Sequence, residues 1–202
     1  MRSVLVTAVV IFTFSVSAAE AVLIDDFSAG DPWAVASTSE FAQFNPETTA
    51  GGRRFLRTFS PGVTSFVPGE GVSWLLVSFF EIAYDPLIGS LDFANTNPAS
   101  RIFLDFENLS EPIQLKVSAR NNGNWYDNDY VIAAGTTNWS FPMSDIPVSN
   151  WATIEPIKFS LQSAASCGSF SGTLSRIEAV PEPSTAILLG IGLTALAVRR
   201  GK

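Results

Sequence analysis

The sequence predicts an all-β protein, a two-sheet antiparallel β-sandwich, over residues 22–179. Proline and glycine interrupt this region at short intervals, and no window in it has the apolar spacing of an amphipathic helix. Short segments between the interruptions alternate apolar and polar side chains, as strands with one buried face do. Many short strands at such spacing indicate a sandwich of the jelly-roll type.

Nine segments have the character of strands, and those near the middle of the chain are the clearest. Ile113, Leu115, Val117 and Ala119 alternate with polar residues, which predicts one buried and one exposed face. In chain order, the predicted strands are 22–27, 53–59, 74–82, 102–107, 113–120, 130–134, 139–141, 154–161 and 170–179.

Two of these strands have special features. Residues 74–82 are apolar on both faces, which predicts a strand that is covered on both sides. In residues 170–179 the alternation slips between Leu174 and Ile177. This slip predicts a β-bulge near Ser175-Arg176.

The N-terminal residues have the layout of a secretory signal peptide, which we predict over residues 1–21. A positive start is followed by residues 4–16 without charge, and small residues then precede two cleavage positions, after Ala19 or after Ala21. A cut by signal peptidase after Ala21 would leave Val22 as the new N-terminus. The alternative is a buried N-terminal helix.

The C-terminal residues 180–202 mirror this arrangement. The tripeptide Pro181-Glu182-Pro183 leads into an apolar stretch, predicted as a short transmembrane helix over 184–198, and a basic tail at 199–202 closes the chain. At about 1.5 Å per residue this helix only marginally spans a hydrocarbon core of about 30 Å. The trailing cations would stay on the cytoplasmic side, with the bulk of the chain outside.

This arrangement resembles the PEP-CTERM sorting signal of exopolysaccharide-producing Gram-negative bacteria. The intact Pro181-Glu182-Pro183, the apolar stretch after it and the basic Arg199-Arg200 all agree with that signal. The resemblance implies processing by exosortase, a membrane protease-transpeptidase, which acts on a precursor held in the inner membrane by its C-terminal helix. The protein would then reach the cell surface or the extracellular matrix. The alternative is an ordinary single-span anchor.

Composition excludes several function classes. The chain of 202 residues has a net charge of −7, no histidine and one cysteine, and residues 22–180 alone carry a net charge of −9. An acidic surface disfavours nucleic acid as a partner. The lack of histidine removes Ser–His, Cys–His and zinc-hydrolase chemistry. The single Cys167 forbids an internal disulfide and is predicted to be a small buried or loop residue.

Three further motifs resemble the galactose-binding-like jelly rolls, a fold that carbohydrate-binding modules share. They are Leu23-Ile24-Asp25-Asp26-Phe27, Gly51-Gly52-Arg53-Arg54 and Leu174-Ser175-Arg176-Ile177-Glu178-Ala179. The resemblance implies a jelly-roll fold and raises the expectation of a sugar ligand. A shared fold does not by itself determine a function.

Asp25, Asp26 and Glu178 form a candidate structural calcium site. The three carboxylates would be neighbours if the first and last strands pair at an edge of the sandwich, and Ca²⁺ prefers carboxylate and carbonyl oxygens. Alternatively, Asp25 and Asp26 point to opposite faces and one of them is merely solvated. No other cofactor is predicted.

Residues 121–130 are the most polar and aromatic segment of the predicted domain. Its Asn-Gly pair suits a tight hairpin turn with positive φ. Asp127 and Asp129 are candidates to hold a cation, and Trp125 or Tyr126 is a candidate to stack on a sugar ring. The alternative is an ordinary hairpin loop.

The tryptophans supply further candidates for ligand stacking. Trp74 lies in an apolar strand and is predicted to be in the core. Trp125, Trp139 and Trp151 adjoin Asn or Gly and are predicted to lie near the surface, where any two of them could form a binding platform. Trp151 therefore joins Trp125 as a candidate ligand residue. The alternative is that they are packing residues.

Two carboxylate pairs have the spacing that glycoside hydrolysis requires. Asp105 with Glu107, and Asp127 with Asp129, each share a strand face. Such pairs are common on exposed strands, so we predict an exported, non-enzymatic envelope or matrix protein associated with polysaccharide. The alternatives are a carbohydrate-binding module that uses the Trp and Asp side chains and a glycoside-active enzyme that uses one of the carboxylate pairs.

Overall fold

The computed structural model describes residues 22–36, 41–47, 52–59, 62–86, 100–165 and 168–180, which lie within one compact unit. In these ranges the chain forms strands and two single-turn 3₁₀ helices, Met143–Asp145 and Trp151–Thr153. The strands are β1 (Val22–Asp25), β2 (Trp33–Ala36), β3 (Phe41–Glu47), β4 (Gly52–Phe59), β5 (Val63–Val67), β6 (Gly71–Val77), β7 (Phe79–Pro86), β8 (Arg101–Glu107), β9 (Ile113–Asn121), β10 (Asn124–Ile132), β11 (Asn138–Pro142), β12 (Ile154–Ser163) and β13 (Phe170–Val180).

The strands form two sheets. The first sheet has the order β11-β8-β13-β6-β5-β2, with β1 pairing against β13, and the second has the order β10-β9-β12-β7-β4-β3. Each pairing in both sheets is antiparallel. The prediction of an all-β fold with two antiparallel sheets is confirmed.

Alternating side chains of both sheets build one apolar core. On β9, Ile113, Leu115, Val117 and Ala119 are all buried, as their alternation with polar residues predicts. The inward residues of β8 in the other sheet belong to the same cluster of buried side chains. Removing this apolar area from water is the main force that holds the two sheets together.

The predicted strand at 74–82 is wrong, because the chain forms two strands there. β6 belongs to the first sheet and β7 to the second, and the chain crosses between them at Ser78. Leu75 and Leu76, at the end of β6, are exposed. The apolar residues on both sides of this stretch thus come from two strands, whose inward positions alternate differently, and from two exposed leucines. Residues 74–82 do not form a single strand that is covered on both sides.

The first and last strands pair, which is the condition on which the candidate calcium site depends. β1 runs antiparallel to the end of β13, with Val22 opposite Ala179 and Leu23 opposite Glu178. The predicted bulge is confirmed, since the register between β13 and β8 shifts between Leu174 and Arg176. The extra residue lets the inward face of β13 change parity and remain in the core.

The flanking segments of the prediction lie outside the described residues. These are the signal peptide with Ala19 and Ala21 and the C-terminal helix, together with the sorting residues Pro181, Glu182, Pro183, Arg199 and Arg200. Cys167, within the predicted domain, also lies outside the described residues. Within the described part of the chain, no helix has the length and apolar character needed to cross a membrane.

Candidate functional site

A groove of about 440 Å³ lies on the face of the second sheet that points away from the core. Four neighbouring strands, β7, β12, β9 and β10, supply its side chains. The lining residues are Phe79, Glu81, Gln114, Lys116, Ser118, Trp125, Asp127, Asp129, Lys158, Ser160 and Gln162. Apart from the two aromatic residues, every lining side chain is polar or charged.

Strand β10 forms one side of this groove. Trp125, Asp127 and Asp129 occupy alternate positions and therefore share one face of the strand. The register with β9 places Asp127 opposite Ser118 and Asp129 opposite Lys116. The alternation on β10 thus brings three of the predicted ligand residues into one groove.

The segment 121–130 is largely strand and only its beginning is a turn, which corrects its interpretation as an ordinary hairpin loop. The turn consists of Asn122 and Gly123, whose φ values of 51° and 80° confirm the predicted positive-φ hairpin. The predicted strand 130–134 is in fact β10, which begins at Asn124. Asp and Asn have low strand propensity, which hid its period of two.

The charges on the β9 and β10 side of the groove are paired. Lys116 and Asp127 form an ion pair across the two strands, and each side chain is nearly half exposed. The hydrogen bond to Asp127 and the nearby charges of Asp127 and Asp129 raise the pKa of Lys116 above its ordinary value. This lysine is therefore a permanent cation that its acidic neighbours already balance.

Trp125 is the exposed aromatic side chain of the groove. It is 46% exposed, and the ammonium of Lys158 lies 4.9 Å from the centre of its ring. Such a distance is typical of a cation–π contact. An exposed indole flanked by polar side chains offers a ligand both an apolar face and hydrogen-bonding groups.

Side-chain hydrogen bonds hold the floor of the groove. Gln162 Nε2 donates to Gln114 Oε1 at 2.7 Å, and Ser160 Oγ donates to Glu81 Oε2 at 2.9 Å. Both bonds cross between neighbouring strands of the second sheet. The polar groups of the floor are thereby oriented before any ligand arrives, which lowers the cost of ordering them on binding.

Two of the predicted ligand residues do not reach the groove. Tyr126 occupies the opposite face of β10 from Trp125 and packs against the apolar core. Trp151 is only 5% exposed, although its neighbour Asn150 predicted a surface position. Trp74 is buried as predicted. A tryptophan's polar neighbours therefore predict its burial poorly in this chain.

The sequence interpretation also missed groove residues. These are Phe79 and Glu81 on β7, Gln114, Lys116 and Ser118 on β9, and Lys158, Ser160 and Gln162 on β12. A signal was present, because the polar members of the alternating segments 113–120 and 154–161 all face away from the core. The missing information was which strands are neighbours.

Asp25 belongs to a buried polar cluster between the sheets. Arg54 Nη1 donates to Asp25 Oδ2 at 2.8 Å, and Tyr84 Oη donates to the same oxygen at 3.0 Å. The guanidinium also lies over the rings of Phe27 and Phe66. Burial raises the pKa of Asp25, while the Arg54 charge and the hydrogen bonds to the carboxylate oppose that rise.

The three carboxylates of the predicted calcium site have other partners in the structure. Asp25 accepts from Arg54, Asp26 accepts from the hydroxyl of Ser28, and Glu178 pairs with Arg176. No group of three or more metal-ligating side chains occurs among the described residues. The structure therefore brings β1 and β13 together without gathering these carboxylates into one cluster.

The two carboxylate pairs considered for catalysis lie on different sheets. Asp105 and Glu107 are on β8 of the first sheet, and Asp105 accepts a hydrogen bond from Asn138. Asp127 and Asp129 are both in the groove of the second sheet, where Asp127 pairs with Lys116. Of the two pairs, the second therefore lines a space that could hold a ligand.

Comparison with known proteins identifies the C-terminal segment. Residues 179–201 match the PEP-CTERM protein-sorting motif, which confirms the resemblance of the sequence to that signal. This motif implies an exported protein that an exosortase sorts. No curated protein matches the chain.

Several solved structures are similar to the chain. The family 11 carbohydrate-binding module from Clostridium thermocellum, in complex with a β-1,3-1,4-mixed-linked tetrasaccharide, has a TM-score of 0.43 and 12% identity over 80% of this chain and 95% of that one. The family 30 module of a Clostridium thermocellum cellulosomal cellulase has a TM-score of 0.46 and 12% identity over 82% and 99%. An exo-β-agarase has a TM-score of 0.46 and 13% identity over 81% of this chain, which spans only 25% of that enzyme.

Proposed function

We propose that this chain is an exported, non-enzymatic polysaccharide-binding protein, and that the groove on the second sheet is its binding site. One observation supports the proposal above all. The exposed Trp125 stands at the side of a groove that is otherwise lined mostly by polar and charged side chains, several of which are oriented by hydrogen bonds. Carbohydrates need both kinds of contact, because a sugar ring has apolar C–H faces and a rim of hydroxyl groups.

The chemistry of the groove suits hydroxyl-rich ligands. Gln114 and Gln162 offer both donors and acceptors, the lysines only donate, and the carboxylates only accept. A sugar hydroxyl both donates and accepts, so it can satisfy either kind of partner. The groove is built on strands rather than on loops, which favours a site that is preformed.

The sorting motif supports the cellular part of the proposal. Signal peptidase would remove residues 1–21, and exosortase would act near Pro181-Glu182-Pro183 of a precursor held transiently in the inner membrane. The sandwich, which we propose is of the jelly-roll type, would then reach the cell surface or extracellular polysaccharide matrix of a Gram-negative bacterium. There it would bind glycan chains.

The non-enzymatic part of the proposal rests on the state of the carboxylates. The chain has no histidine, so proton transfer at a glycosidic bond would fall to a carboxyl group of raised pKa. In the groove Asp127 is instead paired with Lys116, and Glu81 accepts a hydrogen bond from Ser160. Each of these two carboxylates would have to give up its present partner before it could act on a glycosidic bond.

The decisive experiment is a binding measurement with the full-length protein in detergent. Titration calorimetry against neutral and acidic bacterial oligosaccharides should give binding for at least one member of the panel. Trp125→Ala should weaken that binding about tenfold or more, because an exposed aromatic anchor is lost. Val131→Ala is the matched control, since Val131 lies on the same strand, is 71% exposed and is outside the groove.

Two results would overturn the proposal. One is a folded protein that binds no oligosaccharide of the panel. The other is equal weakening by Trp125→Ala and Val131→Ala, which would place the binding site elsewhere. Release of new reducing ends during the titration would contradict the non-enzymatic part alone, and Asp127→Asn would then test which carboxylate is responsible.

A further inference from the structure

Lys158 differs from the other cations near the groove because it has no carboxylate beside it. Its cross-strand neighbours are Ser118 on β9 and Ala83 on β7, and neither carries a charge. Among the described residues, no carboxylate forms an ion pair with it. By contrast, Lys116 forms an ion pair with Asp127, and Arg120 Nε lies 3.1 Å from Glu155 Oε2.

The one close partner that the described residues give the Lys158 ammonium is the ring of Trp125, 4.9 Å away. Both side chains line the groove, so the ammonium covers the indole face that turns toward β12. A sugar that stacks on this face has to displace the ammonium. The displaced cation then loses its cation–π contact and needs a new partner.

We propose that the groove selects saccharides that carry a carboxylate, with the sugar ring stacked on Trp125 and the carboxylate bound to Lys158. This inference rests on the proposed function of the groove. A carboxylate replaces the lost cation–π contact with a charge-assisted hydrogen bond, whereas a neutral sugar leaves the displaced ammonium to water. Lys158 is thus a residue that determines specificity.

The other charges of the groove limit how many carboxylates the ligand can carry. Asp127, Asp129 and Glu81 all line the same groove. Lys116 balances Asp127, and Ser160 donates to Glu81, but a carboxylate placed near Asp129 would be repelled. The groove therefore suits a chain in which acidic sugars alternate with neutral ones, rather than a chain with a charge on every sugar.

The test compares matched ligands and matched variants of the full-length protein. The probes are oligosaccharides in which glucuronate alternates with a neutral sugar, the methyl esters of the same oligosaccharides, and oligogalacturonate, which has a carboxylate on every sugar. The free acids should bind about fivefold more tightly than their esters at low salt. An ion pair between partly exposed groups contributes little binding free energy, and a fivefold change in affinity is of that size. Lys158→Gln should remove that preference, and Lys158→Arg should retain it.

Arg176→Gln is the control for net charge. It removes one positive charge, as Lys158→Gln does, but from β13 in the other sheet. An equal loss of preference in this control would show a long-range charge effect and would overturn the inference.

The remaining outcomes separate this inference from the function on which it rests. Binding of acids and esters with equal affinity, weakened by Trp125→Ala and unaffected by Lys158→Gln, would overturn the inference and leave the groove as a glycan site. Tightest binding of oligogalacturonate would overturn the preference for spaced charges. Failure of a folded protein to bind any probe, including the neutral panel, would overturn the proposed function together with the inference.

Discussion

Two ion pairs of the molecule have similar chemistry and opposite surroundings. Arg54 and Asp25 lie between the sheets, where the arginine is 1% exposed, whereas Lys116 and Asp127 lie on the outer face with each side chain nearly half exposed. In the core, separating the charges leaves one of them without water or partner. On the face, water replaces either partner at little cost.

The buried ion pair stabilises the fold, whereas the exposed ion pair is free to bind a ligand. The buried pair joins β4 to the end of β1, and Tyr84 on β7 completes the cluster. It also brings together two of the segments named above, since Asp25 belongs to Leu23-Ile24-Asp25-Asp26-Phe27 and Arg54 to Gly51-Gly52-Arg53-Arg54. The exposed pair does not join the two sheets. Lys116 and Asp127 can therefore give up their contact with each other and bind a ligand instead.

Replacing the buried arginine gives the sharpest test of this contrast. Arg54→Met should lower the free energy of unfolding by about 3–5 kcal/mol at neutral pH, because it leaves the Asp25 carboxylate buried without its countercharge. Urea unfolding followed by tryptophan fluorescence measures the change. The loss should shrink as the pH falls, because burial favours the neutral form of Asp25 and protonation removes the unpaired charge.

The exposed pair supplies the control for this experiment. Lys116→Met should cost no more than about 1 kcal/mol. The double variant Arg54→Met/Asp25→Leu should recover part of the stability, since an apolar pair needs no desolvation of charge. Equal costs of Arg54→Met and Lys116→Met would show that burial does not distinguish the two pairs.

The tryptophans sharpen the same contrast between core and face. Trp151→Ala should destabilise the protein by about 3 kcal/mol, because Trp151 is 5% exposed and its removal leaves a cavity. Trp125→Ala should change stability by no more than about 1 kcal/mol, while it weakens glycan binding. Unfolding and binding measured on both variants would contradict this assignment if Trp125→Ala proved the more destabilising.

The smallest expected effect is a dependence on alkaline pH. Burial, and then the charge of Asp25, raise the pKa of Tyr84 well above its ordinary value of 10.0. The unfolded chain therefore loses this proton at a lower pH than the folded protein. The contribution of Tyr84 to the free energy of unfolding is fully present below pH 10 and decreases as the pH rises further.

A phenylalanine variant tests this alkaline loss. Tyr84→Phe should cost about 1 kcal/mol at pH 8 through the lost hydrogen bond to Asp25. Between pH 10 and 11.5 the free energy of unfolding of this variant should also fall less steeply than that of the wild type. The two slopes should differ by up to about 1.4 kcal/mol per pH unit. Urea unfolding at each pH measures both the loss of stability at pH 8 and its slope above pH 10. Parallel declines in the two proteins would show that Tyr84 ionises equally in the folded and unfolded states.

Local patterns in the sequence predicted much of the fold. The alternation in 113–120 predicted which side of β9 is buried, and the parity change between Leu174 and Ile177 predicted the bulge in β13. The prediction failed at Ser78, where the chain changes sheets within an apolar stretch. Nothing in the local pattern marks that change, because both sheets bury the same kinds of side chain.

The candidate site was predicted only in part, and for a related reason. Trp125, Asp127 and Asp129 could be found because they are close in sequence and share one face of β10. Lys158 and Glu81 join them only because β12 pairs with β9 and β7 pairs with β12. Trp151 could not be assigned to the core from its polar neighbour Asn150, since its burial depends on what packs over it.

By itself the sequence determined the sorting motif, the class of the fold and the faces of the clearest strands, because each of these is written in a continuous stretch of residues. Tertiary structure alone decided the groove and the Arg54–Asp25 pair, whose partners are 29 residues apart, while the groove's Ser160 and Glu81 are 79 apart. The physical reason is that a period of two shows which way a side chain points. It does not show which strand lies beside it.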